Sequence, residues 1–440
     1  MSATERFQNP VVLIPGALAS RLRTTVDKRE IWPGPLTNFI FDHSETIALE
    51  IDSETLEPQR GQVEPYDLID GFAGRHYYSQ IQKALEYAGG YVRGHLSEPY
   101  GIAERRYYLF LYDWRQDLVQ TAAELDRFIE QIRRNYRDPA LKVDIVAHSM
   151  GGLIARYYLR YGGQDVLDAD VFRPGQTGAS KVRKVILIGT PNWGSITGLQ
   201  VFMDGYRLGL VKFQPEILAT MPAAFELLPH PDRDWMITPE GKKWDRDLYS
   251  VDTWRRYQWS IFDSNARARV RKRFASDEEA QRYLATLERY FAKNLQRAKR
   301  FYKALSVPLA ESPVRYIVFG GDCTLTPARC LVERVNGQLR IRFHPREVLN
   351  RVPGVDYDRL MLEPGDGRVT KSSLLARNSL DPSLETGAGD FQLAYSVFSC
   401  ETHRLLTANM TFQDNLLNTL LTQESTEDRL HSSSIRASKR

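Results

Sequence analysis

The sequence predicts an α/β fold in which a mostly parallel sheet has helices on both faces and a largely helical segment is inserted into the sheet domain. Short apolar runs such as Val11–Ile14 and Val182–Gly189 are typical of buried strands. Helical patterns lie between such runs, and the longest of them is the amphipathic stretch Leu118–Tyr136. Because strands that alternate with helices form parallel sheets covered on both faces, we expect one such sheet at the centre of the molecule.

The other elements of this first region follow in the same rhythm. The turn pair Pro15-Gly16 ends the first strand. The next predicted elements are a helix over Tyr78–Tyr87, strands over Tyr107–Tyr112 and Leu141–Ala147, and a helix over Gly152–Tyr161.

The alternation stops between Ile196 and Val307, where we expect a mainly helical cap inserted after the sixth strand. This stretch holds four of the seven tryptophans, and its acidic helix start at Ser276 is followed by a long helical pattern. The alternation then resumes with strands over Val314–Phe319 and Gln392–Phe398, a hairpin around Asn336-Gly337, and a last helix over Thr411–Leu421. We therefore divide the chain into a first core part (1–195), the cap (196–310), a second core part (311–423) and a disordered tail (424–440).

Composition and charge narrow the function classes. The chain has 440 residues, of which 42% are hydrophobic and 26% charged, and its net charge is only +4, so nothing requires a nucleic-acid partner. No apolar run reaches the roughly 20 residues that span a bilayer, and the start of the chain does not resemble a secretory signal. We expect a cytoplasmic protein that visits a membrane only peripherally. The sequence leaves the oligomeric state open.

The three cysteines are too few for a disulfide framework and lack a zinc-like spacing. We expect Cys323, Cys330 and Cys400 to be free or incidental thiols, and the spacing gives no support to a bridge between the first two.

The pentapeptide Ala147-His148-Ser149-Met150-Gly151 matches the nucleophile elbow of α/β-hydrolases, with Ala in place of the first Gly. The motif needs small residues because its serine lies on a strained turn between a strand and a helix, and this is the predicted context of Ser149. A serine that only caps an ordinary helix is the alternative. His148 is adjacent to Ser149 on a sharp turn, so their side chains should diverge, and we interpret His148 as packing or turn support.

A catalytic serine needs a base and an acid, which follow it in this fold in the order Asp or Glu, then His. Of the four histidines after Ser149, only His403 lies between the last predicted strand and the last helix. Asp366 lies in the tight turn Pro364-Gly365-Asp366-Gly367, but spacing alone does not separate it from the other acids of this region, which are Asp322, Asp356, Asp358 and Asp390.

The oxyanion hole requires backbone N–H groups where negative charge develops. The amide of Met150, which follows the nucleophile, is one expected donor, and the loop Pro15-Gly16-Ala17-Leu18 should supply the other. Two features of the cap stay open at this level. Its tryptophans and the cationic run Arg267–Arg273 suit either a lipid surface or a domain core with a solvated face. The apolar segment Phe213–Leu228 suits a lid as well as plain core.

Taken together, the sequence resembles the lecithin:cholesterol acyltransferase family, which includes lysosomal phospholipase A and phospholipid:diacylglycerol acyltransferases. Six segments carry the likeness over nearly the whole chain, and the most specific is Tyr112-Asp113-Trp114-Arg115 ahead of the serine elbow. The others are Val12-Leu13-Ile14-Pro15-Gly16, the elbow at Ser149, Gly189-Thr190-Pro191 with Gly194-Ser195, Gly365-Asp366-Gly367, and His403.

The resemblance implies a catalytic triad of Ser149, Asp366 and His403, with Leu18 as the second oxyanion donor. It also implies that Trp32 lies in a lid region, and we add Trp193 as a further candidate for substrate binding. This chain departs from the family in having Arg368 where a Thr is usual, no cysteine before Cys323, and a cap with little to align.

We therefore expect a serine-dependent lipid acyl-ester hydrolase or O-acyltransferase that needs neither a metal nor an organic cofactor. Its substrate should be a phospholipid or a related lipid ester. The alternatives are an esterase or thioesterase for soluble acyl substrates, a non-catalytic lipid-binding protein that keeps the fold, and a nucleic-acid binder that would depend only on Arg267–Arg273.

Overall fold

A computed structural model describes residues 9–34, 44–69, 71–72, 75–76, 78–97, 104–208, 211–309, 312–377 and 391–422. The predicted disordered tail lies outside these residues.

Parallel strands form the central sheet, as predicted. In the described residues they number seven: β1 (Val11–Ile14), β2 (Val92–Arg93), β3 (Arg106–Leu109), β4 (Val143–His148), β5 (Val182–Ile188), β6 (Arg315–Gly321) and β7 (Leu393–Ser399). Their order across the sheet is β7-β6-β5-β4-β1-β3-β2, and every pairing is parallel. The carboxyl ends of β1, β4, β5, β6 and β7 therefore share one edge.

Helices cover both faces of this sheet. The longer ones are α1 (Leu118–Asn135), α2 (Met150–Tyr161), α3 (Ile196–Asp204), α4 (Asp277–Leu305) and α5 (Met410–Leu421). Val12 and Ile14 of β1 belong to the same core cluster as α1 and α2, whereas Val11 and Leu13 pack in a second cluster with α5. This alternation follows from the two-residue period of a strand and places apolar side chains on both faces.

Shorter helices connect the main elements. They are Tyr78–Lys83 with its continuation Ala84–Ala88, Pro215–Leu218, Pro222–Phe225, Val251–Tyr257, Ser264–Arg271, Tyr357–Met361 and Lys371–Leu375. Single 3₁₀ turns occur at Ser44–Ile47, Ala179–Lys181, Ser260–Phe262, Pro345–Glu347 and Leu406–Ala408.

Small sheets lie outside the central one. Ser20–Thr24 pairs with Glu30–Trp32 and Val63–Leu68, and Thr324–Pro327 pairs with Leu362–Gly365. The predicted hairpin at Asn336-Gly337 is confirmed by the antiparallel pair Cys330–Val335 and Gln338–Arg342, which Met236–Ile237 extends. Two more hairpins join Tyr206–Leu208 to Val211–Phe213 and Gly71–Phe72 to Arg75–His76.

The cap lies between β5 and β6, so it follows the fifth strand of the described central sheet and not the sixth. The early strand Ser20–Thr24 is not counted here, because it pairs in a separate sheet. Its aromatic residues form a core: Trp235, Trp254 and Trp259 are buried, and Trp244 is half-buried. The cationic run is largely paired, since Arg267, Arg269 and Arg273 each form an ion pair with a glutamate. Most of the cap residues that suggested a lipid or nucleic-acid surface thus have partners within the protein.

The expectation of free thiols is wrong for two of the three cysteines. Cys323 and Cys400 form a disulfide with a Cα–Cα distance of 4.9 Å, although 77 residues separate them in the chain. The reason is topological: β6 and β7 are parallel neighbours with Gly321 opposite Ser399, so the residues that follow each strand meet. Cys330 is a free, buried thiol.

Within the described residues, no helix combines the length and the apolar character that a membrane crossing requires.

Candidate active site

Ser149 occupies the sharp turn between β4 and α2. Its φ of 55° and ψ of −126° are a strained combination for a residue with a Cβ atom. The turn is possible only with small neighbours, because a Cβ on Gly152 would lie 1.9 Å from the Thr190 Oγ1 and one on Gly151 would lie 2.5 Å from the Pro15 carbonyl oxygen. This is the strand–turn–helix context that the elbow motif predicts.

A chain of hydrogen bonds connects Ser149 to the two other predicted site residues. His403 Nε2 lies 2.9 Å from Ser149 Oγ, and His403 Nδ1 lies 2.7 Å from Asp366 Oδ2. With Nδ1–H donating to the carboxylate, Nε2 is the acceptor for the serine hydroxyl. The structure therefore brings Ser149, His403 and Asp366 together in the arrangement of a general base held by an acid.

Asp366 is buried, yet it is held in its ionised form. Burial alone raises the pKa of a carboxyl group, but the charge and hydrogen bond of His403 act against this. The backbone N–H groups of Val369 and Arg368 also donate to Asp366 Oδ1, at 2.8 and 2.9 Å. Together they lower the pKa of Asp366 below its usual value.

The loop after β5 leaves room for this arrangement because it holds a glycine. Gly189 has a φ of +57°, and a Cβ there would lie 3.2 Å from both Asp366 Oδ2 and His403 Nδ1. It would also lie 2.8 Å from Leu406 Cδ1. The Gly189-Thr190-Pro191 motif thus has a steric role beneath the acid and the base.

The loop after β1 carries the second predicted oxyanion donor. Leu18 has a φ of 65°, a strained value for a leucine, and its carbonyl oxygen accepts a hydrogen bond of 2.9 Å from Trp32 Nε1. Met150 is the first residue of α2, so its N–H has no partner within the helix. Leu18 and Met150 both line the cavity in front of Ser149.

The Tyr112-Asp113-Trp114-Arg115 segment supports this loop. The Tyr112 hydroxyl donates to the Pro15 carbonyl at 2.8 Å, and Trp114 Nε1 donates to the Ser20 carbonyl at 3.2 Å. Arg115 forms an ion pair with Asp113 at 2.8 Å. The specificity of this motif therefore has a physical basis in the anchoring of the loop after β1, which is predicted to hold the oxyanion.

His148 links both sides of the site through a residue that the sequence did not single out. Its Nδ1 lies 2.7 Å from the Tyr78 hydroxyl, which also accepts the Gly16 N–H at 2.8 Å. Its Nε2 lies 3.2 Å from the His403 carbonyl oxygen. Because that oxygen can only accept, Nε2 carries the proton and Nδ1 accepts from Tyr78. Burial and the neighbouring His403 lower the pKa of His148 to about 3, so the ring is neutral.

A cavity of about 550 Å³ opens in front of Ser149. Apolar side chains from both the core and the cap line it, among them Leu18, Ile47, Trp114, Val201, Phe202, Leu208, Phe213, Leu218, Met221 and Leu227. The segment Phe213–Leu228, which suited either a lid or plain core, supplies one wall. This volume falls within the range of about 300–1,000 Å³ that is usual for small-molecule sites.

The two tryptophans predicted near the substrate have different positions. Trp32 lines the cavity and packs its ring 5.6 Å from Trp114. Trp193 lies outside the cavity lining, beside a smaller pocket, with the Arg233 guanidinium 3.9 Å from its ring centroid. Trp193 is half-buried among cap and core residues, and its role in substrate binding stays a prediction.

In the part of the chain that the structure describes, no three His, Cys, Asp or Glu side chains are grouped to hold a metal ion.

Comparisons with known proteins identify the family of this chain. A family model for lecithin:cholesterol acyltransferase matches residues 98–323, just over half of the chain. The chain is 27% identical over 147 residues to an uncharacterized protein of Saccharomyces cerevisiae, a match that covers 33% of this chain and 20% of the yeast protein. It thus spans about one fifth of the length of that relative.

A solved structure is similar over nearly its whole length. The crystal structure of the Tle4–Tli4 complex contains a chain that matches with a TM-score of 0.58 at 16% identity, covering 94% of this chain and 98% of that chain. This likeness shows a shared fold.

Proposed function

Because this chain belongs to the lecithin:cholesterol acyltransferase family, we propose that it is a serine enzyme that hydrolyses or transfers the acyl group of a lipid ester. The observation that carries the proposal is the hydrogen-bond chain of Ser149, His403 and Asp366 at the wall of a large apolar cavity. The chemistry needs a nucleophile with a base, and the substrate needs an apolar site of this size.

The reaction proceeds in two steps. His403 takes the proton of Ser149 Oγ as that oxygen attacks the ester carbonyl, and Asp366 stabilises the imidazolium that forms. The N–H groups of Met150 and Leu18 hold the oxyanion of the tetrahedral intermediate. The alcohol leaves with the proton from His403, and an acyl-Ser149 ester remains. His403 then takes a proton from water or an acceptor alcohol, which attacks the acyl group, and returns this proton to Ser149 Oγ as the acyl–serine bond breaks.

A long acyl chain is the substrate group that suits the cavity best. Burying each methylene of an acyl chain contributes about 0.8 kcal/mol, so an apolar cavity selects long chains over short ones. The competing candidate is an esterase for soluble acyl substrates, and a series of acyl chain lengths separates the two. A preference for short chains in solution would favour that alternative.

Lipid esters reside in bilayers, so we propose that the enzyme works peripherally at a membrane surface. The cytoplasmic location expected from the sequence stays a prediction. The Cys323–Cys400 disulfide weighs against it, because disulfides persist mainly in oxidising compartments. Fractionation of cells that express the full chain, combined with the mass of the protein after thiol alkylation, tests both points.

The function is tested by product analysis with phospholipid vesicles, with and without an acceptor alcohol, for the wild type and Ser149→Ala. Free fatty acid that the variant does not produce would establish a hydrolase. An acceptor ester that the variant does not produce would establish an acyltransferase. Turnover that persists in Ser149→Ala would contradict the proposed nucleophile, and no turnover of any lipid or soluble ester by the wild type would favour the non-catalytic alternative.

A further inference from the structure

The cavity in front of Ser149 is apolar except at one side, where two arginine side chains reach it. Arg368 and Arg404 both line the cavity, and both are half-buried. Among the described residues that line it, they carry the only permanent charges, and no aspartate or glutamate is present. A guanidinium is charged at every physiological pH, so this side of the cavity is cationic.

Both guanidinium groups converge on the hydroxyl of Tyr206. Arg368 Nη2 donates to this oxygen at 3.3 Å, and Arg404 Nη2 donates to it as well. The Arg368 guanidinium also lies 5.4 Å from the centroid of the Tyr206 ring, which stacks on Phe213. A tyrosine hydroxyl has two acceptor positions and one donor, so its own O–H remains to donate to a further group.

Two like charges held at one oxygen repel each other unless an anion lies between them. Neither guanidinium has a carboxylate oxygen within 4.0 Å in the part of the chain that the structure describes. The arginines of the cap differ in this respect: Arg267, Arg269 and Arg297 each form an ion pair with an acid. Since no acid of the described residues pairs with these two charges, they are available to an anionic group of a ligand.

The position of this pair along the chain places it beside the reacting atoms. Arg404 directly follows His403, and the backbone N–H of Arg368 donates to Asp366 Oδ1. An anion bound here would therefore share one cavity with the ester carbonyl that Ser149 attacks. A glycerophospholipid has this layout, because its phosphodiester and its two acyl esters share one glycerol. Acylglycerols have the esters without the phosphate.

We propose that Arg368, Arg404 and Tyr206 form a phosphate-binding site that selects glycerophospholipids over uncharged acyl esters. The two guanidinium groups hold the phosphate oxygens in charge-assisted hydrogen bonds, and the Tyr206 O–H adds a third donor. This inference rests on the proposed function, since it assumes that Ser149 attacks lipid esters.

The test compares two esters below their critical micelle concentrations, dihexanoyl phosphatidylcholine and dihexanoylglycerol, so that attraction to a membrane surface has no part in the result. The quantity measured is the ratio of their kcat/KM values. We expect this ratio to fall several-fold in Arg368→Gln and in Arg404→Gln, and at least tenfold in the double variant. Because damage to the neighbouring triad lowers both rates, it cancels in the ratio.

Arg207→Gln is the matched control. Arg207 is exposed on the strand that holds Tyr206 and does not line the cavity, so the ratio should stay within twofold of the wild type. An equal fall in this control would assign the effect to general surface charge and overturn the proposal. An unchanged ratio in the double variant, with both esters still cleaved, would overturn it too. If the wild type cleaves neither these esters nor phospholipid vesicles, the proposed function fails and this selectivity fails with it. If it cleaves the vesicles alone, the same ratio is measured with the dipalmitoyl forms of both lipids in uncharged detergent micelles.

Inorganic phosphate distinguishes a lipid headgroup from free phosphate as the ligand. It is tested as an inhibitor of dihexanoylglycerol cleavage by the wild type and by the double variant. Inhibition that is competitive in the wild type and lost in the variant would support a site for phosphate itself. An absence of inhibition, together with the expected fall in the ester ratio, would assign the site to the headgroup of a bound lipid.

Discussion

The two sides of the cavity differ in how they are built. The sheet side carries strained backbone and buried polar groups: Ser149, Leu18 and Gly189 all have positive φ values, and Asp366 and His148 are buried. The cap side of the cavity is lined mainly by apolar side chains, and the strained residues of the cap, Gln258 and Ser260, lie outside this lining. Phe202, Phe225, Phe291 and Trp254 pack there with ring centroids 4.7–5.6 Å apart.

This difference suggests separate roles for the two sides: the sheet side holds the reacting groups, and the cap side determines which substrates fit. Strain and buried polar groups cost stability, and they persist at functional sites because the surrounding structure holds them in place. The parallel strands β1, β4, β5, β6 and β7 provide that support, since they bring the loop after β1, Ser149, Gly189 and the loops of Asp366 and His403 to one edge. The cap supplies volume and apolar surface. Changes on the sheet side should therefore alter rate constants, and changes on the cap side should alter selectivity or stability.

The largest effect is expected for Gly189→Ala. The added Cβ would meet Leu406, Asp366 and His403 at 2.8–3.2 Å, and it would displace the base or the acid. Disrupting a triad in this way lowers kcat by roughly 10³- to 10⁴-fold. The measurement is kcat for a soluble nitrophenyl ester.

Gly337→Ala is the control for backbone strain. Gly337 also has a positive φ, of +81°, but it lies in an open hairpin turn with nothing within 4 Å of the added Cβ. Both variants should lose about 1 kcal/mol of stability through strain, and only Gly189→Ala should lose activity. Equal rates for the two variants would refute the steric role of Gly189.

A smaller effect on rate is expected for Tyr78→Phe. The substitution removes the hydroxyl that joins Gly16 to His148, and it leaves a buried ring nitrogen and a backbone N–H unpaired. We expect kcat to fall about tenfold with KM nearly constant. This fall corresponds to an increase of about 1.4 kcal/mol in the activation free energy, because Gly16 and His148 are held less firmly.

Tyr249→Phe provides the comparison on the cap side. The Tyr249 hydroxyl is buried and donates to the Pro229 carbonyl at 2.8 Å, so its loss should lower Tm without changing kcat. A Tyr78→Phe enzyme that loses Tm but keeps its kcat would show that the Tyr78–His148 link is structural only.

The cap side is tested by Ala224→Phe. Ala224 lines the cavity and is half-buried, so a phenyl ring there would take up part of the acyl space. We expect the ratio of kcat/KM for palmitoyl to that for butyryl esters to fall about tenfold, with the butyryl rate nearly unchanged. Ala140→Phe, at an exposed position before β4, should leave the ratio as it is. Parallel losses on both esters in Ala224→Phe would mean that the cap also shapes the chemistry.

The smallest effect concerns stability and pH. Glu226 of the cap is buried with its Oε2 accepting the Leu118 N–H at 2.9 Å. Burial, together with the negative charge of Asp117, raises the pKa of Glu226 well above its usual value. As pH rises above the usual carboxyl pKa, the unfolded chain loses this proton while the folded chain keeps it, so the free energy of unfolding falls.

Glu226→Gln keeps the acceptor oxygen and removes this dependence. The free energy of unfolding of the variant minus that of the wild type should be larger at pH 8 than at pH 4 by about 1 kcal/mol or more. Urea unfolding at both pH values measures this difference. A stability difference that is the same at both pH values would contradict a protonated Glu226 in the folded state.

The sequence predicted those features that depend on local pattern or chain order. The parallel sheet and the turn at Ser149 follow from apolar runs, small residues and the helix that comes next. His403 follows from its place after the last strand. Spacing alone could not distinguish Asp366 from the other acids of its region. It was singled out by the resemblance of the turn Gly365-Asp366-Gly367 to a motif of the family.

Contacts between distant segments could not be predicted. Tyr78, Tyr206 and Arg404 belong to no motif, and they reach the site across 70 to almost 200 residues of chain. The disulfide was missed for the same reason, since it depends on which strands become neighbours. Trp193 differs in that it lies next to motif residues, but its side chain packs outside the cavity in front of Ser149.

The most direct test of the account is to trap the acyl-enzyme stage with a long-chain alkyl fluorophosphonate and locate the adduct by peptide mass spectrometry. We expect one adduct per chain, on Ser149. Labelling should be lost in Ser149→Ala, strongly slowed in His403→Ala, and slowed in Ala224→Phe only for long alkyl chains. An adduct on another residue, or labelling of Ser149 that is as fast in His403→Ala as in the wild type, would contradict the central claim that Ser149 is activated by His403 at the wall of an acyl-binding cavity.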